Sequence, residues 1–130
     1  MRAAASFAVG VVLLLGVGCS GNGDDARSAK VFTDSGTEIA VRVGDEFVIS
    51  LESNPSTGYA WSVSQKPAGV RLVRDRYVAP PHPRPGSPGH QELRFVARAT
   101  GSGTIELAYA RSFEPDEPPE RTASFPVTVR

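Results

Sequence analysis

The side chains able to make or break covalent bonds are few and poorly spaced for that work. Cys19 is the sole thiol, and His82 and His90 are the only imidazoles in the 130 residues. The two histidines lie in a proline-rich stretch without a third ligand beside them, which falls short of a metal site. Glu92 and Glu106 lie on stretches of strand character, where they read as solvent-facing. No Ser-His-Asp order and no glycine-rich phosphate loop stands out. The sequence therefore argues against an enzyme and against any cofactor or metal. The pattern with most chemical content is a contact pattern, Asn54-Pro55-Ser56-Thr57-Gly58-Tyr59-Ala60-Trp61. Asn-Pro favours turn initiation, because proline fixes its own φ and pushes the preceding residue out of the helical region. Gly58 is free to take φ > 0 at a sharp reversal. Tyr59 and Trp61 are two apart, so a strand points both rings to one face. The product is a stiff loop of small residues on an aromatic foot, which suits binding. Trp61 reads as core and Tyr59 as divided between core and contact.

The elements that must position this loop are strands. Ile39, Val41 and Val43 alternate with Ala40 and Arg42, and a Gly44-Asp45 turn follows. Phe47, Ile49 and Leu51 then alternate with Val48 and Ser50. Tyr59, Trp61 and Val63 come after the loop, and Val70, Leu72 and Tyr77 lie in a longer run interrupted by arginines. Leu93, Phe95 and Ala97 alternate with Arg94, Val96 and Arg98. Gly101-Ser102-Gly103 turns the chain into Ile105, Leu107 and Tyr109, and Phe125, Val127 and Val129 close it. Runs of period 2 at this spacing predict an all-β, immunoglobulin-like antiparallel β-sandwich. Two connections are longer than a hairpin needs. Residues 79–91 hold Pro80, Pro81, Pro83, Pro85 and Pro88 with Gly86 and Gly89, and residues 111–121 hold Pro115, Pro118 and Pro119. Loops of that length are functional or solvated and variable, and composition alone leaves both open.

The ends bound the rest. Arg2 precedes an apolar run over residues 3–17, and Gly18-Cys19-Ser20 follows, as in a secretory signal peptide. Cys19 stands where a bacterial lipoprotein signal is cut and its new terminal cysteine lipidated. Gly16 occupies the position usually held by an aliphatic, with Leu15 one step back, so an ordinary signal peptide cut near Gly18 or Ser20 is the alternative. The expected organisation is a signal peptide over 1–18, a flexible polar tether over 19–30 and one domain over 31–130. The expected location is the cell envelope, lipid-anchored to a membrane, or else secreted or periplasmic. A single cysteine allows no internal disulfide. Lys and Arg number 14 against 14 Asp and Glu, so no general field points to nucleic acid. Lys66, Arg71, Arg74 and Arg76 form a basic cluster and Glu114, Asp116, Glu117 and Glu120 an acidic one, both read first as solvated surface.

Three segments in order carry a resemblance to a known family. Gly44-Asp45-Glu46-Phe47 followed by Leu51-Glu52-Ser53 and the Asn54-to-Trp61 string is similar to the first signature of the chagasin-type inhibitors of cysteine proteases. Gly86-Ser87-Pro88-Gly89-His90-Gln91, leading into Leu93-Arg94-Phe95, resembles the second, a glycine-rich loop before an aromatic-bearing strand. Tyr109-Ala110-Arg111-Ser112-Phe113-Glu114 resembles the third, where the family usually has Arg-Pro-Trp. The resemblance implies an immunoglobulin-like sandwich, three binding loops at one end, and a monomer that wedges them into the active-site cleft of a papain-like cysteine protease. It implies protease contact by Asn54, Pro55, Ser56, Thr57, Gly58 and Tyr59 at the centre, with Thr57 and Gly58 nearest the thiolate. Gly86, Ser87, Pro88, Gly89, His90 and Gln91 would form one flank, and Arg111, Ser112, Phe113 and Glu114 the other. Ser112 and Phe113 replace the family's proline and tryptophan, which gives a smaller anchor without an indole donor. A cell-envelope immunoglobulin-like binding module with a non-protease ligand is the alternative reading of the same sandwich.

Overall fold

A computed structural model describes residues 29–130, and residues 1–28, with the expected signal peptide, Cys19 and nearly all of the tether, lie outside it. The described chain forms eight strands: β1 (Lys30–Phe32), β2 (Ile39–Val41), β3 (Glu46–Ser53), β4 (Tyr59–Gln65), β5 (Val70–Val78), β6 (Gly89–Ala97), β7 (Gly101–Arg111) and β8 (Arg121–Val129). A single 3₁₀ turn, Pro55–Thr57, lies between β3 and β4. The strands build two four-stranded sheets, ordered β1-β3-β6-β5 and β2-β8-β7-β4, packed as an immunoglobulin-like sandwich.

Alternation places the core. Phe47, Ile49 and Leu51 of β3 and Leu93, Phe95 and Ala97 of β6 face Trp61, Ile105, Leu107, Tyr109, Ala123, Phe125, Val127 and Val129 of the other sheet, all buried in one cluster. Phe47 and Phe95 are cross-strand partners and stack at 5.3 Å between ring centroids, 16° from parallel. Such pairs add to the burial of large side chains that drives the two sheets together.

Four details differ from the sequence reading. The sandwich is antiparallel except at two edges, where β1 runs parallel to β3 and β2 parallel to β8, so both sheets are mixed. Each of these edge strands has three residues, too few for alternation to reveal direction. β1 begins at Lys30, inside the segment expected to be tether. β2 stops at Val41, because Asp45 closes a turn on Arg42 through its carboxylate (Arg42 N donating at 2.9 Å) and its own N–H (3.0 Å). Val43 is therefore off the strand and half-exposed. In β5 the pairing with β6 slips between Leu72 and Arg74. That bulge explains the irregular run seen in sequence, since one extra residue exchanges the two faces of a strand.

Two polar side chains are buried among the described residues, Ser53 of β3 and the larger Gln91 of β6. Trp61 N–H donates to Gln91 Oε1 at 2.8 Å, and Gln91 Nε2 donates to Trp61 O at 2.8 Å and to the Asp75 carboxylate at 2.9 Å. β4 is an edge strand, and here the amide of Gln91 occupies the free backbone groups that a further strand would otherwise pair. It also ties one sheet to the other. Gln91→Leu leaves the Trp61 N–H and C=O without partners at about 1–3 kcal/mol each, so the domain is expected to lose about 2–4 kcal/mol of stability in denaturant unfolding. A loss under about 0.5 kcal/mol would show that water replaces the amide.

Candidate functional site

The register brings three connections to one end. Ser53, at the end of β3, pairs with Gly89, at the start of β6, and Tyr59, at the start of β4, pairs with Arg111, at the end of β7. The β3–β4, β5–β6 and β7–β8 connections, residues 54–58, 79–88 and 112–120, therefore lie side by side. The first occupies the centre, bonded to the second and to Arg111 at the base of the third.

The central loop is built on Asn54. Its N–H donates to Tyr109 Oη at 3.0 Å, and its Nδ2 donates across to Gly86 O of the second loop at 3.1 Å. Its Oδ1 accepts from Ser56 Oγ at 2.5 Å, and its carbonyl accepts from Thr57 Oγ1 at 2.6 Å and Thr57 N at 3.2 Å. Pro55 opens the 3₁₀ turn where its missing N–H costs nothing. Gly58 ends it at φ 82°, ψ −3°, donating its N–H to Pro55 O at 3.0 Å. That left-handed geometry suits a residue without Cβ. Close packing adds a second reason for glycine, because a Cβ on Gly58 would stand 2.8 Å from Phe113 Cε1.

Arg111 holds the third loop to the first. Its Nε donates to Thr57 O at 3.1 Å, its guanidinium carbon lies 4.5 Å from the Tyr59 ring centroid and 5.7 Å from that of Phe113, and its Nη1 is 3.6 Å from Glu114 Oε2. Within the chain this arginine lies beside two aromatic rings, and the acid it pairs with is Glu114 of the same loop. A guanidinium stacked on a ring and fixed by two oxygens is held in one conformation.

Beneath the loops stands an aromatic column, of which the sequence singled out Tyr59 and Trp61 as the loop's foot but not Tyr109. Tyr109 stacks on Tyr59 at 5.3 Å and packs against Trp61 at 5.0 Å, while Arg121 covers it at 4.6 Å. Trp61 is buried, with Nε1 donating to Glu52 O at 2.9 Å, and Tyr59 is half-buried. Tyr109 was readable as the outermost member of the inward series Ile105, Leu107, Tyr109, since a tyrosine there can bury its ring and offer its hydroxyl to the loop above.

The expected contact residues fall into two groups. Pro55, Ser56, Thr57, Gly58, Gly86, Pro88, His90, Ser112 and Phe113 are exposed, Phe113 at 66%. Asn54, Tyr59, Ser87, Arg111 and Glu114 are half-buried. Gly89 and Gln91 are corrections: both belong to β6, the first buried under Tyr77 and the second turned inward to bridge the sheets. Gly89 and Gln91 thus support the second flank from below. Among the described residues no group of three or more His, Cys, Asp or Glu is placed to hold a metal ion.

Residues 40–129 match the family model described as Chagasin family peptidase inhibitor I42. Amoebiasin-2 of Entamoeba histolytica is 34% identical over 94 residues, covering 71% of this chain and 76% of that protein. Chagasin of Trypanosoma cruzi is 29% identical over 82 residues, covering 59% of this chain and 74% of its own. Among solved structures, that of a cysteine protease inhibitor from Entamoeba histolytica superposes with a TM-score of 0.70 at 30% identity, over 78% of this chain and 96% of that one.

The ties across the loops make a local prediction. Asn54→Ala removes the bonds to Gly86 and Ser56 but no core group, so amide hydrogen exchange should quicken at Ser56, Thr57, Gly58 and Ser87 while β3 and β6 stay protected. Unchanged exchange in both loops would mean that Asn54 does not hold them together.

Proposed function

The chain belongs to the chagasin family of peptidase inhibitors, and we propose that it blocks papain-like cysteine proteases reversibly, its three loops occupying the active-site cleft without forming a covalent bond. The observation that carries the mechanism is where the carbonyls of the central loop point. Those of Asn54, Pro55 and Thr57 accept hydrogen bonds from Thr57, Gly58 and Arg111 of the same molecule. A papain-like thiolate attacks a substrate carbonyl that lies extended and open to an oxyanion hole. A 3₁₀ turn in which the Asn54, Pro55 and Thr57 carbonyls are already engaged fills the slot with Pro, Ser, Thr and Gly in a curled backbone unlike the extended strand that the thiolate attacks. The inhibitor is then held rather than cleaved, and it acts by occupancy and not by turnover.

Rigidity supplies the affinity. Asn54, Arg111 and the tyrosine column fix the loops before contact, which limits the ordering cost of binding. Three loops of this size suit an interface of standard extent, on the order of 1,600 Å² in total. Phe113, exposed and resting against Gly58, is the aromatic anchor of the third loop, and its truncation should cost about 1–2 kcal/mol of binding.

Purified residues 21–130 should inhibit papain or a cathepsin-L-like enzyme competitively. Thr57→Arg should weaken inhibition at least about tenfold, because the longer side chain overfills the slot, while the lost Thr57 Oγ1 bond to Asn54 O costs only about 1 kcal/mol of stability and leaves the domain folded. Absence of inhibition at micromolar excess across several such enzymes would contradict the assignment.

The N-terminal sequence supports a location for this activity. Residues 1–18 direct export, Cys19 carries the lipid, and the monomeric domain works at the cell envelope from a short polar tether. Cys19→Ser should abolish incorporation of labelled palmitate into the protein in growing cells. Continued labelling of that variant would exclude a lipid anchor at this residue.

A further inference from the structure

We propose that the outer face of the β1-β3-β6-β5 sheet is a docking surface for anionic lipid headgroups. The bulge in β5 creates this face. Before the bulge Arg71 lies opposite Val96, and after it Arg74 lies opposite Arg94 and Arg76 opposite Glu92, all three partners on the outward side of β6. With uninterrupted alternation Arg71 would point away from Arg74 and Arg76. The slip at Val73 puts all of them on one side, where Arg94 joins them.

Carboxylates answer only part of this charge. Arg76 pairs with Glu92 and Arg94 with Glu46, each at 2.8 Å. Arg71 and Arg74 are exposed, and no carboxylate among the described residues forms an ion pair with either. Arg74, Arg76, Arg94 and Glu92 ring a shallow depression floored by Val48. Guanidinium groups around a small concavity suit a phosphate, which they can bind in bidentate fashion. Two exposed valines flank the charges: Val31 on β1, paired with Val48, and Val73 at the bulge. The opposite face of the sandwich lacks this character, with Ser62, Ser64, Thr104, Ala108, Thr122 and Ser124 along its strands and Glu106 as their charged neighbour.

The position of the N-terminus selects a membrane as the occupant. The chain enters the domain through β1, an edge strand of this same sheet. From Cys19 to the start of the sandwich there are about ten residues, which reach at most roughly 35 Å. A domain anchored there stays close to the headgroups, and confinement makes a modest attraction effective. Docked on this face, the sandwich leaves its loop end at the side, open to a protease.

The confinement rests on the lipid-anchor reading, whereas the test does not. Residues 21–130, which contain every strand and core residue among those described, would be mixed with vesicles of phosphatidylcholine alone or with phosphatidylglycerol added, and bound protein measured by sedimentation. Binding is expected to the anionic vesicles only, to fall with added salt, and to weaken roughly thirtyfold in Arg71→Gln/Arg74→Gln, at about one charge-equivalent of attraction for each arginine. Thermal unfolding of the variant should match the parent, since both side chains are exposed. Equal binding to both vesicle types, no binding at low salt, or full binding by the double variant would each overturn the proposal.

Discussion

The contact between Tyr109 and the loop above it organises the binding end. Its ring is part of the core, stacked with Tyr59 and Trp61, while its hydroxyl accepts the N–H of Asn54. A rigid interior is thereby joined directly to the residue from which the central loop hangs. The loop has no buried residue of its own in its 3₁₀ turn, so its shape cannot come from hydrophobic burial. It comes from hydrogen bonds that start at Asn54 and from Arg111 closing on Thr57. Such bonds are individually worth about 1 kcal/mol, and anchoring them to a packed ring makes them act together.

This arrangement explains how a small loop resists the enzyme it blocks. Substrate cleavage needs a flexible, extended strand that yields a carbonyl to the thiolate. Here the Asn54, Pro55 and Thr57 carbonyls are used for internal bonding, and Gly58 at φ 82° turns the chain away immediately afterwards. The departure from the family's third signature fits the same design. Phe113 fills the space beside Gly58, and Arg111 paired with Glu114 stiffens a loop base that has Ser112 in place of proline.

Much of the sandwich was legible because β3, β6, β7 and β8 are long and bury one face, which imposes period 2 on Phe47-Ile49-Leu51, Leu93-Phe95-Ala97, Ile105-Leu107-Tyr109 and Phe125-Val127-Val129. β1 and the parallel edges were not, since three residues carry no directional signal. The Asn54-to-Tyr59 loop stood out by its turn chemistry and family likeness. Gln91 did not, because a glutamine beside a glycine-rich stretch looks like loop until the free edge of β4 and Asp75 are brought to it. The common side of Arg71, Arg74 and Arg76 was hidden for a related reason, as a bulge depends on pairing with β6 and not on local composition.

The central claim is that a pre-formed three-loop end, and no other surface, meets the protease. Hydrogen–deuterium exchange of residues 21–130 with and without saturating papain tests it most directly. The account predicts added protection at Ser56, Thr57, Gly58, Ser87, Ser112 and Phe113, with β5 and β8 unchanged. Protection confined to the sheet faces, or none at any loop, would contradict it.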